Sequence, residues 1–405
     1  MREKGLSRHQ IMELLDNHLA KDTEFRSGKI VGSMCTEPHG FAKQIYSEFI
    51  EKNIGDPGLV RGTLEMEREC ISMMGSLLSH TESYGNIVSG GTEANIIALW
   101  SARNEMKKDK PEVIVATNAH HSFKKAADLL GVRLVRIPCD DSFTLDSEIV
   151  KQTITPNTIM LVGTAGSTNL GLIDPIDELA EISETFDVPL HVDASFGGFV
   201  IPFLKELGYI VPDFDFSLKG VRTITIDPHK MGMAPIPASC ILFRENKSID
   251  GISSRVNYLS GGVMPRDTVL GTSPGASIIA VWALINLLGK RGYRRVVDRC
   301  MRRTQYLYEQ INHIDGVEVV TPPMTNIIGL RVNGMKLSDL TNRLRRRGFA
   351  VSVFQDHIRL VIMPHLTQEH IDEFLEILRE IVKNSNLKQI LAPKTRSKRL
   401  DDHIP

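Results

Sequence analysis

Along the first eighty residues apolar positions recur at helical spacing; from about residue 84 they gather into short β runs between helices. Residues 7–20 place Ile11, Leu14, Leu15 and Leu19 on one face, the pattern of an amphipathic helix. Helical patterns over 43–53 and 64–78 flank the turn-rich Gly55-Asp56-Pro57-Gly58. Val113–Ala116, Arg133–Ile137, Thr158–Val162, Pro189–Val192, Thr223–Ile226 and Ser239–Phe243 read as strands. Helices near 92–105, 122–130, 145–153 and 174–186 sit among the earlier ones. This β/α alternation predicts an α/β large domain, a mostly parallel sheet covered by helices. Ligands of such sheets bind outside the carboxyl ends of the strands. The apolar run Ala276 to Leu288 is too short to span a bilayer and reads as a buried helix. After it come a basic helix (290–313), strands near 317–320 and 327–332, a helix (336–347), strands near 349–354 and 357–363, and a helix (367–384). These make a smaller C-terminal α+β domain. The expected division is an N-terminal helical arm (1–83), a large domain (84–289), a small domain (290–385) and a disordered tail (386–405).

Composition adds mainly exclusions. The chain has 405 residues, 42% hydrophobic and 24% charged, with a formal net charge of −1. Nothing global steers it toward nucleic acid or an acidic membrane. The basic runs Lys290 to Arg303 and Arg343 to Arg347 invite an RNA-binding reading, but charge runs on helices are ordinarily solvated faces. Five scattered cysteines without a C-x-x-C pair argue against a disulfide framework and against a zinc site. No signal-peptide pattern is present, so a reduced, cytoplasmic protein without a metal is expected.

Three segments at predicted strand ends carry the chemistry. Ser89-Gly90-Gly91-Thr92-Glu93-Ala94-Asn95 is a glycine turn opening a helix, whose free N–H groups and dipole favour a phosphate. By itself it is also an ordinary helix start. Asp193 ends the apolar strand His191-Val192, and alone would read as a turn cap. Asp227-Pro228-His229-Lys230 follows another β run and precedes an apolar turn, so Lys230 is expected to be partly buried. Burial is expected to lower its pKa and make it a better nucleophile. Together, a phosphate cradle, a carboxylate and a lysine answer the three corners of pyridoxal phosphate (PLP). Lys230 would form the Schiff base, and Asp193 would keep the pyridine nitrogen protonated. His120 or His121, after the strand ending at Ala116, would stack on the ring or else belong to a surface loop.

The pieces GGTEAN, NAHHSFKKAA, HVDASFGGF and DPHKMGMAP resemble those of the group II, fold-type I PLP-dependent amino-acid decarboxylases. Gly32 to His39 (GSMCTEPH) and Asn53 to Gly58 (NIGDPG) are similar to the archaeal L-tyrosine/L-aspartate decarboxylases within that family. The similarity runs from about residue 10 to about residue 385. It implies decarboxylation of L-tyrosine to tyramine (methanofuran biosynthesis) or of L-aspartate to β-alanine (coenzyme A biosynthesis), by a homodimer. Glutamate decarboxylation, or a carbon–carbon lyase of the sphingosine-phosphate-lyase type, is the alternative. By position, the resemblance assigns Lys230 to the aldimine, Asp193 to the pyridine nitrogen and His120 to ring stacking. Gly91, Thr92 and His229 fall to the phosphate, and Arg359 falls to the substrate α-carboxylate, held by a bidentate fork. His39 is a candidate for the substrate pocket and Tyr258 for the Cα proton donor. Ser273 departs from the pattern, standing where relatives commonly carry arginine.

Overall fold

The computed structural model describes residues 1–257, 259, 261, 262 and 264–391. The elements begin with α1 (Arg8–Leu19), α2 (Gly40–Glu48), α3 (Arg61–Leu77), β1 (Tyr84–Val88) and α4 (Gly91–Met106). Then follow β2 (Glu112–Ala116), α5 (Ser122–Leu130), β3 (Arg133–Ile137), α6 (Ser147–Thr153), β4 (Thr158–Thr164), α7 (Ile176–Phe186) and β5 (Leu190–Asp193). The large sheet is completed after α8 (Ile201–Glu206) by β6 (Val221–Ile226) and β7 (Ser239–Phe243). A short helix α9 (Lys247–Asp250) and a hairpin, β8 (Ser254–Val256) with β9 (Met264–Arg266), lead into α10 (Gly275–Asn312). The last elements are β10 (Val317–Val319), β11 (Ile327–Val332), α11 (Leu337–Arg346), β12 (Ser352–Val353), β13 (Ile358–Val361) and α12 (Gln368–Leu391).

Seven strands in the order β1-β7-β6-β5-β4-β2-β3 form the large sheet. Pairs among β6, β5, β4, β2 and β3 are parallel, and β7 runs antiparallel to both β6 and β1. Helices cover both faces, so every residue of β2, β4, β5 and β7 is buried, which is why these strands read as continuous apolar runs. The two edge strands differ: β3 is only partly buried, and β1 has a polar, partly exposed Tyr84-Gly85-Asn86 start that the pattern did not announce as a strand. A four-stranded antiparallel sheet, β10-β11-β13-β12, backed by α11 and α12 forms the smaller body with its own apolar core. Gly289, at φ 53° and ψ −176°, breaks α10 between the apolar and the basic half.

The first 83 residues do not stand apart as an arm. Ala42, Ile54, Cys70, Ile71 and Met74 lie in the large core, and Val31 enters the core of the small body. Ile30 bridges Ala350, and Ser352 Oγ donates to Gly32 O at 2.8 Å, so this strap ties the two bodies together. Only α1 stays clear: it has a Ser7–Gln10 capping box yet no buried residue, and Ile11, Leu14, Leu15 and Leu19 are exposed. At the other end α12 continues to Leu391, past the expected start of the tail, and residues 392–405 lie outside those described. No helix among the described residues is long and apolar enough to cross a membrane.

Asp174 fixes the loop beyond β4, which supplies part of the site. Its carboxylate accepts from Leu145 N at 3.0 Å and Thr164 N at 2.7 Å, and burial pushes its pKa up to about 6. The folded state thus holds this proton more tightly than the unfolded chain. Stability is gained as pH falls from 7 toward 4, by about 3 kcal/mol at most, and lost as pH rises through 6. We predict that urea unfolding at about pH 4.5 favours wild type over Asp174→Asn more strongly than at about pH 7.5. A difference independent of pH would show that the carboxyl titrates normally.

Candidate active site

Three parallel strands deliver their polar ends to one place. Asp193 is the last residue of β5, the Asp227–Lys230 turn follows β6, and His120 lies four residues beyond β2. The start of α4, following β1, closes the same edge. A cavity of about 250 Å³ is lined there by Gly90, Gly91, Thr92, His120, Asp193 and Lys230, together with Ser195, Asp227 and His229. Gly90 is the N-cap of α4 with no side-chain cap, which leaves first-turn N–H groups facing the cavity. A Cβ on Gly91 would come within 2.9 Å of Ser195 Oγ and 3.1 Å of Asp227 Oδ2, so only glycine lets the helix start sit this close.

Lys230 Nζ lies 2.9 Å from Asp227 Oδ2. Burial alone would lower its pKa, but the carboxylates of Asp227 and Asp193 outweigh that and raise it. The expectation of a depressed lysine pKa is therefore corrected: the amine sits as an ammonium between two buried carboxylates. Asp227, which sequence reasoning passed over, also accepts from Ser239 Oγ and has His229 Nε2 at 3.8 Å. For Asp193, burial opposes ionisation, yet hydrogen bonds from Ser195 and the charge of Lys230 hold its pKa below the usual value. Its Oδ1 accepts from Ser195 N and Oγ, and its Oδ2 from Asn95 Nδ2 at 3.0 Å. His120 is kept neutral by burial, its pKa lowered, while His121 beside it is exposed.

A second, more open cavity of about 480 Å³ shares Met34, His120, Thr168 and Lys230 with the first and adds Ile30, Gly32, Ser33, Ser352 and Arg359. Arg359 is buried on β13. Its Nη1 donates to Thr168 O at 2.5 Å, and its Nη2 donates to Gly32 O at 2.6 Å and Ser352 Oγ at 3.0 Å. The fork expected for a substrate carboxylate is thus largely engaged in joining three segments. Nε is buried without a partner among the described residues, and burial lowers the pKa to about 10.

Two residues singled out in the sequence, His39 and Ser273, do not join this cluster. His39 caps α2, its Nδ1 accepting from Phe41 N at 3.3 Å, and it is not among the residues lining either cavity. Ser273 lines a neighbouring cavity of about 460 Å³ that touches the first at Ser89. Tyr258 lies outside the described residues. The donor set that remains fits PLP: N–H groups at a helix start beside a glycine for an anion, an ionised carboxylate, a flanking imidazole and a lysine.

Comparison with known proteins agrees. The model of the pyridoxal-dependent decarboxylase conserved domain matches residues 36–332. The L-aspartate/L-glutamate decarboxylase of Pyrococcus horikoshii is 48% identical over 93% of this chain and 98% of its own. A probable L-tyrosine/L-aspartate decarboxylase of Methanothermobacter thermautotrophicus is 46% identical, over 88% of this chain and 98% of its own. Among solved structures, the sphingosine-1-phosphate lyase Bpss2021 of Burkholderia pseudomallei superposes with a TM-score of 0.87 at 27% identity, covering 96% of this chain and 95% of that one.

Proposed function

The chain belongs to the pyridoxal-dependent decarboxylase family and is a PLP-dependent amino-acid decarboxylase, and from that premise we propose that it converts L-aspartate to β-alanine and CO₂. The observation that carries the proposal is the convergence of Lys230, Asp227, Asp193 and His120 on one cavity, with Arg359 lining the adjoining one. PLP, when bound, supplies an aldehyde for an amine and a ring that accepts an electron pair. The residues supply the rest. The first turn of α4 at Gly91 and Thr92 offers N–H groups to a phosphate, and Asp193 offers a fixed negative charge to a ring nitrogen. The Lys230 ammonium must lose a proton before it can attack a carbonyl, and Asp227 at 2.9 Å is placed to take it. Arg359 draws a substrate carboxylate by its charge and by Nε–H, the donor left without a partner among the described residues. The chemistry balances as loss of CO₂ and gain of one proton at Cα.

A second reading, L-tyrosine to tyramine, is favoured by Ile30, Met34 and Val351 in the cavity beside Arg359, which offer apolar contact to a ring. The carbon–carbon lyase alternative is not favoured, since relatives at 46–48% identity carry decarboxylase names. β-Alanine would serve coenzyme A synthesis, and tyramine methanofuran synthesis, in the cytoplasm. We also propose a homodimer, supported by the uncovered apolar face of α1.

Purified protein loaded with PLP is expected to release CO₂ from L-aspartate faster than from L-tyrosine or L-glutamate. Release from L-tyrosine alone would establish the second reading instead. Arg359→Met is expected to keep the cofactor but raise KM by roughly 10- to 100-fold and lower kcat, the loss of a charged hydrogen bond. An unchanged KM would remove Arg359 from substrate binding.

A further inference from the structure

Behind the wall that Asp193 and His120 present to the cavity lies a buried polar network. Asn95, on the second turn of α4, is its hub. Asn95 Nδ2 donates to Asp193 Oδ2 at 3.0 Å and to Ser122 Oγ at 2.9 Å. Asn95 Oδ1 accepts from Thr225 Oγ1 at 2.8 Å and faces His191 Nε2 at 3.1 Å. Ser122 Oγ in turn lies 2.9 Å from His120 Nδ1, and Thr223 Oγ1 lies 2.8 Å from His191 Nδ1. Asn95, Ser122, His191 and Thr225 are all fully buried, so none can exchange these partners for water.

Elimination places every proton. An ionised carboxylate only accepts, so Asn95 must turn its NH₂ toward Asp193, and both amide hydrogens are then used, on Asp193 and on Ser122. Ser122 Oγ, accepting from Asn95, keeps one hydrogen and one lone pair, so the backbone decides which of them meets His120 Nδ1. The backbone N–H of Ser122 points to the same nitrogen at 3.3 Å. A ring nitrogen that accepts this backbone N–H carries no proton of its own, so Ser122 Oγ donates to it as well, and the imidazole of His120 carries its proton on Nε2, the nitrogen turned away from the network. By the same logic Asn95 Oδ1 receives Nε2–H of His191, whose Nδ1 accepts from Thr223.

We propose that Asn95 is a positioning residue that wires the Asp193 carboxylate to His120 and fixes His120 as a neutral imidazole with its N–H on Nε2. The inference rests on the reading of this cavity as the PLP site. His120 then meets its ligand as a neutral hydrogen-bond donor through Nε2–H rather than as an imidazolium, and Asp193 is held in one orientation by the same amide. Other groups act on His120. Asp193 from β5 and Asp227 after β6 favour its protonation, while Lys230 and the neighbouring His121 oppose it, as does burial. Arg359 on β13 shares the second cavity. The Asn95–Ser122 link adds a directional term that none of these supplies, because it occupies the nitrogen a second proton would need.

The test uses the full chain labelled with ¹⁵N-imidazole histidine, with and without PLP, the His120 signals being identified by their loss in His120→Gln. Wild type is expected to show one His120 tautomer, protonated at Nε2, over about pH 6–8. In Asn95→Ala, Ser122 Oγ loses the donor that orients its hydroxyl, so its O–H can rotate away and its oxygen can accept from Nδ1–H. His120 should then populate both tautomers and titrate about one pH unit higher, and the pH dependence of the bound cofactor's visible absorbance should shift. Ser122→Ala spares the Asn95 bonds to Asp193, His191 and Thr225, so it should alter the His120 signals and leave the cofactor absorbance as in wild type. That variant decides the matter if Asn95→Ala does not fold. His120 signals matching wild type in either variant would overturn the proposal, as would a Ser122→Ala cofactor spectrum shifted as far as that of Asn95→Ala. If no chain binds PLP, the cofactor reading fails, while the signals of the PLP-free chain still judge the network.

Discussion

Lys230→Ala is expected to reduce turnover to background and to abolish the visible absorbance of covalently held cofactor. The loss has two separable parts. One is chemical: the lysine is the amine proposed to engage the PLP aldehyde, and no other lysine among the described residues lines the cavity. The other is electrostatic. Asp227 is 2% exposed, and without the ammonium at 2.9 Å its charge is left buried beside a single hydroxyl donor and His229. Breaking such a pair costs about 3 kcal/mol or somewhat more. Lys230→Ala should therefore lower the urea midpoint as well as activity. Adding Asp227→Asn to it should recover most of the stability and none of the turnover. Recovery of turnover in that double variant would remove Lys230 from the chemistry.

Asp193→Asn should retain part of the cofactor and lose about 10²- to 10³-fold in kcat, the scale of one well-placed electrostatic contact worth ~2.7–4 kcal/mol. A neutral amide at this position cannot hold a ring nitrogen protonated. It also faces Asn95 Nδ2 at 3.0 Å, so the new side chain must turn its oxygen toward Asn95 and its NH₂ toward Ser195 or the cavity. Steady-state kinetics with L-aspartate, alongside the absorbance of bound cofactor, checks this. Near-normal kcat would make the carboxylate structural only.

How far the chain could be read beforehand follows from where each signal resides. Strands buried on both faces are unbroken apolar runs, so a polar residue at the end of one, Asp193 after Val192 or Lys230 after Ile226, stands out against its surroundings. The glycine turn before α4 is equally local. Each of these needs only neighbouring residues to be noticed. The charge state of Lys230 is different, because it depends on two carboxylates, one of them 37 positions away, arriving on the same side of the amine. Burial alone points to a lowered pKa; burial with those partners gives a raised one. Arg359 was recognisable by position, but its engagement with Thr168, Gly32 and Ser352 joins residues up to 327 apart in sequence. Asn95 reads as one polar residue inside a helix. Its place as a hub appears only when β5, β6 and α5 close around it. The strap at Ile30 and Val31 was hidden for a similar reason: a two-residue contact with Ala350 leaves no periodicity.

The measurement that bears most directly on the account is borohydride reduction of the PLP-loaded full-length protein, followed by proteolysis and mass spectrometry of the modified peptide. The account predicts a reduced pyridoxyl adduct on Lys230, in the peptide spanning Asp227-Pro228-His229-Lys230, and none in Lys230→Ala. An adduct on Lys219, or on any other lysine in place of Lys230, would contradict it.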